Sequence, residues 1–465
     1  MKRVDRARPR RRSSARAVAT EVVHRVATDG AWATPTLDAA LARSGLDTRD
    51  AALATSLTYG TLRVLPSIDT ALDAHLERPA KLDAWVRAAM RVAAFQIRHQ
   101  PKIPVSAAVN EAVELVRAER GHLASLTNAV LRKLARPDDA APPTALEIPR
   151  WIEAALVRAL GPERARSFLE ARALPPPLDL RARVDREELA RAIRDARPEG
   201  EISLGLAEHA LHARRVGDPR ELPGYAEGRF VVQEQGAQLL GALVAAQPGE
   251  HVLDACAGHG GKTLQLVEAV GASGRVVAAD LHEARLDRGA EERARLGLAD
   301  APVESIAIDW TVGDGGLGED PDVVARGGFD RVLVDAPCTG LGTIHRRPEL
   351  PLRAKWEDVV ALAAIQRAIL ERVTPLVRPG GLLVYAVCSP LSEEGPAIAR
   401  ALTEAHPELE PMPLAIGAAD PAANAIVART GPNFAGARSD ADGVLRLGPW
   451  LDGCDAYQVA AWRRR

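Results

Sequence analysis

The chain has 465 residues, 47% of them hydrophobic and 26% charged, with a formal net charge of −2. That length exceeds what one growing core accommodates, so two or three domains are expected. No run approaches the roughly 20 apolar residues that span a bilayer, and the amino terminus lacks a secretory apolar segment, which excludes a membrane protein and points to the cytoplasm.

The near-neutral balance hides an asymmetry. Lys2, Arg3, Arg6, Arg8, Arg10, Arg11, Arg12 and Arg16 crowd the amino terminus against a single Asp5. Residues 1–12 read as a basic disordered arm, equally suited to contacting phosphates and to standing free in solvent.

From residue 13 to 136 the apolar period is helical. Val18, Val22, Val23 and Val26 share one face, and so do Leu82, Val86, Ala89, Met90, Ala93 and Ile97. A third stripe carries Val109, Val113 and Val116, and a last one Leu123, Leu126, Val130 and Leu134. Serines precede the first helix and Gly30 follows it, while Pro101 and Pro104 part the Leu82 helix from the next. An all-helical domain is expected over 13–136. The proline-rich, acidic stretch 137–147 is a linker by composition. Residues 148–228 form a small mixed segment, helix-like over 151–160, broken at Pro175-Pro176-Pro177 and strand-like over 178–181.

Over 229–465 short apolar strands alternate with helical stretches, the pattern of a mostly parallel sheet covered on both faces. The expected strands are 251–254, 275–280, 305–309, 331–335, 382–387, 444–447 and 457–462, which makes seven. Residues 411–442 give no clear element. Four strands end on an aspartate, Asp254, Asp280, Asp309 and Asp335, and open α/β sheets bind ligands beyond the carboxyl ends of their strands.

The first of these strands runs into Cys256-Ala257-Gly258-His259-Gly260-Gly261-Lys262-Thr263. A P-loop ending in Gly261-Lys262-Thr263 would need glycine where Cys256 stands, and a dinucleotide fingerprint from Gly258 would need glycine or alanine in place of Thr263. What remains is a glycine turn with free N–H groups feeding a helix over 264–270, suited to a carboxylate or a ribose edge. S-adenosylmethionine fits that description. Asp280 is placed for both ribose hydroxyls and Asp309 for the adenine amino group, although a lone aspartate at a strand end more often caps the loop that follows.

The four cysteines lie in the second half without close pairs or zinc-ligand spacing, so neither a disulfide framework nor a metal site is expected. Cys256 and Cys454 read as small buried residues. Cys338 and Cys388 stand apart. Cys338 ends Asp335-Ala336-Pro337-Cys338 and is followed by a glycine-bearing loop with Arg346 and Arg347. Cys388 ends Tyr385-Ala386-Val387-Cys388 and precedes Ser392, an expected helix cap.

Two thiols at one cleft have a chemical use. Cytosine C5 accepts a methyl group only after a thiolate adds at C6, and the thiolate must then be expelled. One thiol attacks and the other assists release. Asp335 is placed to hold N3 of the base and Lys262 to orient that carboxylate and to help lower a thiol pKa.

At these residues the chain resembles the ribosomal RNA small-subunit methyltransferase B family, within the wider Nol/Nop/Sun group of RNA cytosine-5 methyltransferases. The match is carried by Asp254-Ala255-Cys256-Ala257-Gly258-His259-Gly260-Gly261-Lys262-Thr263, by Asp335-Ala336-Pro337-Cys338-Thr339-Gly340-Leu341-Gly342 and by Tyr385-Ala386-Val387-Cys388-Ser389. The resemblance implies a Rossmann-like methyltransferase domain, with Cys388 as nucleophile and Cys338 promoting product release. It also implies cofactor contacts from Cys256, Ala257, Gly258, His259, Gly260, Gly261, Lys262, Asp280, Asp309 and Asp335.

Val109-Asn110-Glu111-Ala112-Val113-Glu114-Leu115 and Thr127-Asn128-Ala129-Val130-Leu131-Arg132-Lys133-Leu134 extend the likeness to a NusB-type helical domain, implying small-subunit (16S) ribosomal RNA as partner and a part in rRNA processing. The chain departs from the family where Gly258-His259 replaces Ala-Pro and where Arg181-Ala182-Arg183-Val184-Asp185 lacks an asparagine. His259 is read as a loop substitution. The rival readings are a transfer RNA or DNA cytosine-5 methyltransferase and a non-catalytic RNA-binding antitermination or assembly factor. The DNA class attacks with its Pro-Cys thiol and does not need Cys388, and an inert scaffold has no use for Cys338, Cys388, Asp335 and Lys262 together.

Overall fold

A computed structural model of the chain describes residues 14–136, 147–417, 426–428, 430, 437–451 and 453–465. The basic arm and nearly all of the expected linker lie outside the described residues. The chain divides into two compact units. One holds the described residues up to Pro149 together with Arg172–Pro175 and His345–Arg353; the other holds Arg150–Ala171, Pro176–Ile344 and Ala354–Arg465.

The first unit is helical. Ser14 Oγ accepts the N–H of Ala17 to open helix Ala15–Asp29, and Gly30, at φ 63°, closes it by donating its N–H to Arg25 O. Both caps satisfy orphan backbone groups at little conformational cost. Val18, Val22, Val23 and Val26 are buried along one face, as their spacing predicts. Helix Ala84–His99 starts where Asp83 Oδ1 accepts from Trp85 and Val86, and it buries Val86, Ala89, Met90 and Ala93. Each fully buried Val or Met side chain contributes about 1.5–3 kcal/mol. The last helix, Ala124–Leu134, buries Val130 and Leu134 as expected and Thr127 and Leu131 beside them, while Leu126 is exposed. Thr127 can face inward because its hydroxyl donates to Leu123 O at 3.0 Å.

The stretch His345–Arg353, which follows the Cys338 loop in sequence, folds with these helices. Arg63 donates to His345 O at 2.9 Å, buried Glu349 accepts the N–H of Ala33 at 3.2 Å, and the Arg353 guanidinium stacks 4.1 Å from the Trp32 ring centre.

The second unit begins with helix Arg150–Ala171, kinked at Gly161, whose φ is 76°, immediately before Pro162. A four-stranded antiparallel sheet follows, in the order Glu201–Leu204, Ala210–Arg214, Leu178–Ala182, Phe230–Val232. The main sheet runs, across its width, Leu409–Met412, Tyr457–Arg464, Val377–Val387, Phe329–Asp335, His251–Asp254, Arg275–Asp280, Val303–Ala307. The last five are parallel, Tyr457–Arg464 is antiparallel to Val377–Val387, and Leu445–Leu447 pairs only with Tyr457–Arg464.

Alternate residues of the central strands feed two apolar layers. Val252, Leu333 and Val384 face one, and Leu253, Val332, Leu383 and Tyr385 the other. Burial on both faces is why these strands read as unbroken apolar runs. Two differences from the sequence expectation stand out. The strand expected over 305–309 runs over Val303–Ala307: Ile308 N–H makes the last ladder bond, to Asp280 O, and Asp309 then opens a turn in which its carbonyl accepts from Val312 and Gly313. Leu409–Met412 forms an edge strand that its sequence, with Glu410 and Pro411 exposed, does not announce.

Candidate active site

Beyond Asp254 the chain leaves the sheet through two backbone bonds, Ala255 N–H to Leu333 O and Ala257 N–H to Ala279 O, both 2.8 Å. Gly258 then takes φ 56°, where a built Cβ meets no atom within 4 Å, and Gly260 takes φ 79° as the residue before helix Gly261–Val270. The helix thus starts three residues earlier than expected, and its first N–H groups belong to the turn. Asp280 pins this turn: Oδ2 accepts the N–H of Gly258 at 3.0 Å and Oδ1 that of His282 at 2.9 Å.

Asp254 accepts from Thr263 Oγ1 at 2.7 Å beneath the turn, and burial pushes its pKa up to about 6. Cys256 is partly exposed, and burial of its thiol, reinforced by Asp254, Asp335 and Asp280, drives its pKa well above the ordinary value. Asp309 is exposed, two residues past its strand, and its Oδ1 accepts both the N–H and the hydroxyl of Thr311 at 2.9 and 2.6 Å. His259 is exposed at the tip of the turn.

Lys262 Nζ lies 2.5 Å from Asp335 Oδ2. Burial opposes the Lys262 charge, but the Asp335 carboxylate outweighs it and raises the ammonium pKa; Asp254 and Cys388 act in the same direction. Asp335 and Val387 are the final residues of neighbouring parallel strands, which brings the loops carrying Cys338 and Cys388 together. The two Sγ atoms are 3.4 Å apart and both cysteines are partly exposed. The hydrogen bond to Cys388 comes first, and burial second, in pushing the Cys338 thiol well above its usual pKa. Cys454 is buried, 3.3 Å from Gln235 Nε2, as its core reading required.

The loop after Cys338 is held by contacts that a sequence reading misses. Gly342 N–H donates to Cys388 O at 2.9 Å and Gly342 O accepts from Ala456 at 3.0 Å, so close that a Cβ on Gly342 would fall 2.0 Å from Ala456 O. Glu394, fully buried, accepts from Thr339 and Ser389, the residues that follow the two cysteines. Gln366 donates to Pro337 O at 2.9 Å, and the Tyr385 hydroxyl donates to Glu394 O at 2.5 Å and lies 3.0 Å from Gln366 Oε1. Gln366 had one signal: it falls on the buried stripe of helix Trp356–Val373, between Ala363 and Leu370. Ser392 does not cap the next helix. Pro396–Ala405 starts from Gly395 with no side-chain cap, since a proline in its first turn already lacks one orphan N–H.

A family model described as 16S rRNA methyltransferase RsmB/F matches residues 241–458, and one described as the NusB family matches 13–136. The Ribosomal RNA small subunit methyltransferase B of Pseudomonas putida is 34% identical over 386 residues, covering 80% of this chain and 85% of its own length. The chain belongs to the RsmB/F methyltransferase family. The Vibrio vulnificus protein of the same name is 33% identical, with 80% of this chain and 87% of that one covered.

Among solved structures, PH0851 superimposes with a TM-score of 0.77 at 21% identity over 98% of this chain and 99% of its own. A methyltransferase homolog from Pyrococcus horikoshii gives 0.53 at 24% identity over 69% and 96%. Both likenesses concern the fold. As an RsmB/F member the chain carries a NusB-like helical region and a Rossmann-like methyltransferase domain. Among the described residues no helix is long and apolar enough to cross a membrane.

Proposed function

We propose that this RsmB/F member forms 5-methylcytosine in small-subunit ribosomal RNA, using S-adenosylmethionine and a covalent adduct between Cys388 and cytosine C6. The observation that carries the reading is the thiol pair, 3.4 Å apart at two adjacent strand ends and next to the Lys262–Asp335 ion pair. The names of the relatives supply the RNA class.

The residues present fit the cofactor. The open space over Gly258, the first N–H groups of helix Gly261–Val270 and the Asp280 carboxylate suit a ligand with an amino-acid end and ribose hydroxyls. Cys256, Ala257, Gly258, His259, Gly260, Gly261, Lys262, Asp280, Asp309 and Asp335 are the residues proposed to hold it. When bound, it supplies an electrophilic sulfonium methyl group.

The chain's own groups do the rest. Cys388 Sγ, as the thiolate, adds to C6, and the electron pair of the C5–C6 double bond makes C5 nucleophilic. Asp335, entering with its proton, hands it to N3 as charge reaches the ring and takes it back when the ring is restored, and Lys262 holds the carboxylate in between. After methylation C5 carries a proton that must leave. The Cys338 thiol gives its proton to water, and surroundings that raise its pKa make the resulting thiolate a strong proton acceptor. As it takes the C5 proton, that bond's electrons rebuild the double bond, and Cys388 departs with the pair from the C6–S bond.

The test is incubation of the full chain with small-subunit ribosomal RNA and S-adenosylmethionine tritiated at the methyl group, followed by nucleoside analysis. Label in 5-methylcytidine is expected. Label only in another nucleoside would overturn the reading.

A further inference from the structure

Glu394 is a fully buried carboxylate that the chemistry above does not use. Its Oε1 accepts the N–H of Thr339 at 2.8 Å and Gln366 Nε2 at 3.3 Å. Its Oε2 accepts the hydroxyls of Thr339 at 2.6 Å and Ser389 at 2.5 Å. Thr339 follows Cys338 and Ser389 follows Cys388. Four donors reach the carboxylate, so the site accommodates the ion, although burial raises its pKa above the ordinary glutamate range.

The rest of the neighbourhood braces the same point. Gln366 reaches Pro337 O, one residue before Cys338, and Gln458 Nε2 donates to Ser389 O at 2.7 Å and Leu391 O at 2.8 Å. A charge this deep is expensive unless something needs its bonds, and a neutral side chain cannot accept from four donors at once.

We propose that Glu394 is a positioning residue for the thiol pair: its carboxylate ties the loop after Cys338 to the loop after Cys388 and sets the separation of the two sulfurs. Its effect on turnover rests on the thiol mechanism proposed above; its effect on sulfur spacing does not. Charge-assisted bonds to both loops hold each sulfur against a common anchor. Without them the loops keep their strand ends, the Gly342 contact, the bonds from Gln366 and Gln458 and the 3.3 Å hydroxyl contact between Thr339 and Ser389, all of them between neutral groups.

The spacing can be read without any methylation. Phenylarsine oxide condenses with two neighbouring thiols: two As–S bonds form, the As–O bond breaks, both thiol protons leave in water, and arsenic stays trivalent. Wild-type protein is expected to retain one equivalent of the arsenical against excess 2-mercaptoethanol and to release it to 2,3-dimercaptopropanol. Cys338→Ala and Cys388→Ala are expected to lose that retention.

Glu394→Ala is expected to weaken retention about a hundredfold and to lower kcat on small-subunit RNA about a hundredfold with little change in KM. Glu394→Gln, which keeps an acceptor for the Thr339 N–H but loses the charge that binds the two hydroxyls, is expected to recover only part of the retention. If Glu394→Ala does not unfold cooperatively, the double variant Thr339→Val/Ser389→Ala carries the test, with retention weakened at least about tenfold. Wild-type retention in a folded Glu394→Ala, or in the double variant, overturns the proposal. Weakened retention supports it even if no 5-methylcytidine forms in wild type, an outcome that would sink only the proposed reaction.

Discussion

The sulfur atoms of Cys338 and Cys388 lie 3.4 Å apart although 50 residues separate them in the chain. Both stand just past the carboxyl ends of neighbouring parallel strands, so their proximity follows from sheet register. The surroundings are not symmetric. Lys262 lies within electrostatic reach of Cys388, while Glu394 raises the pKa of Cys338 behind its hydrogen bond to Cys388 and its burial. The surroundings that raise the Cys338 thiol pKa make its thiolate a strong base, which suits the release step proposed for it.

Replacing either thiol should therefore fail differently. Cys388→Ala is expected to cut methylation by at least about a thousandfold and to form no covalent protein–RNA species. Cys338→Ala is expected to accumulate an adduct that survives denaturing electrophoresis. Equal adduct yields from the two variants would reverse or remove the roles.

Lys262→Met leaves the Asp335 carboxylate, only 23% exposed, without its cation. Loss of this charge-assisted bond is expected to cost about 1.5–3 kcal/mol in urea unfolding. Methylation is expected to fall about a hundredfold. Adding Asp335→Asn should cost less than the sum of the two single changes, because the pair is already broken. Strict additivity would show that the two groups do not act together.

Asp254 makes a signed pH prediction. Its folded pKa, near 6, lies above the unfolded value of about 3.9, so the folded state holds the proton more tightly. Its contribution to stability is fully present below about pH 4, is lost as pH rises to about 6, and is flat above that. Asp254→Asn should remove this slope. The wild-type minus variant difference should change by about 2–3 kcal/mol between pH 4 and pH 7. A difference constant across that range, measured by chemical denaturation, would refute the assignment.

Gly342→Ala places a methyl group against Ala456 O, backbone that cannot step aside. Overpacking of this kind is expected to cost about 1–3 kcal/mol. It should also displace the Cys388 carbonyl bonded to the same residue, lowering methylation more than cofactor binding. Wild-type rates in a folded Gly342→Ala protein would show that this contact does not govern the thiols.

Much of the candidate site was legible before any coordinates. Asp254, Asp280 and Asp335 end strands as the alternation of short apolar runs with helical stretches implied, and the glycine turn and both cysteine loops fall at that same edge. Asp309 shows where such reading slips: pairing with Arg275–Asp280 ends at Ala307, and Asp309 caps the turn that follows, its Oδ1 accepting from Thr311. Thr127 in Ala124–Leu134 is a second case, a polar residue tolerated inside because a carbonyl answers its hydroxyl.

Strands, caps and turn glycines depend on a few consecutive residues, so the sequence alone determined the helical and α/β regions, the edge where ligands meet the sheet, and the pair of cysteines. Only the tertiary structure decided that Glu394 and Gln366 stand between the cysteine loops, that Gly342 admits no side chain, and that His345–Arg353 folds among the helices. Those relations join residues far apart in the chain. Strand register and side-chain packing create them, and neither can be read from spacing along a single line of residues.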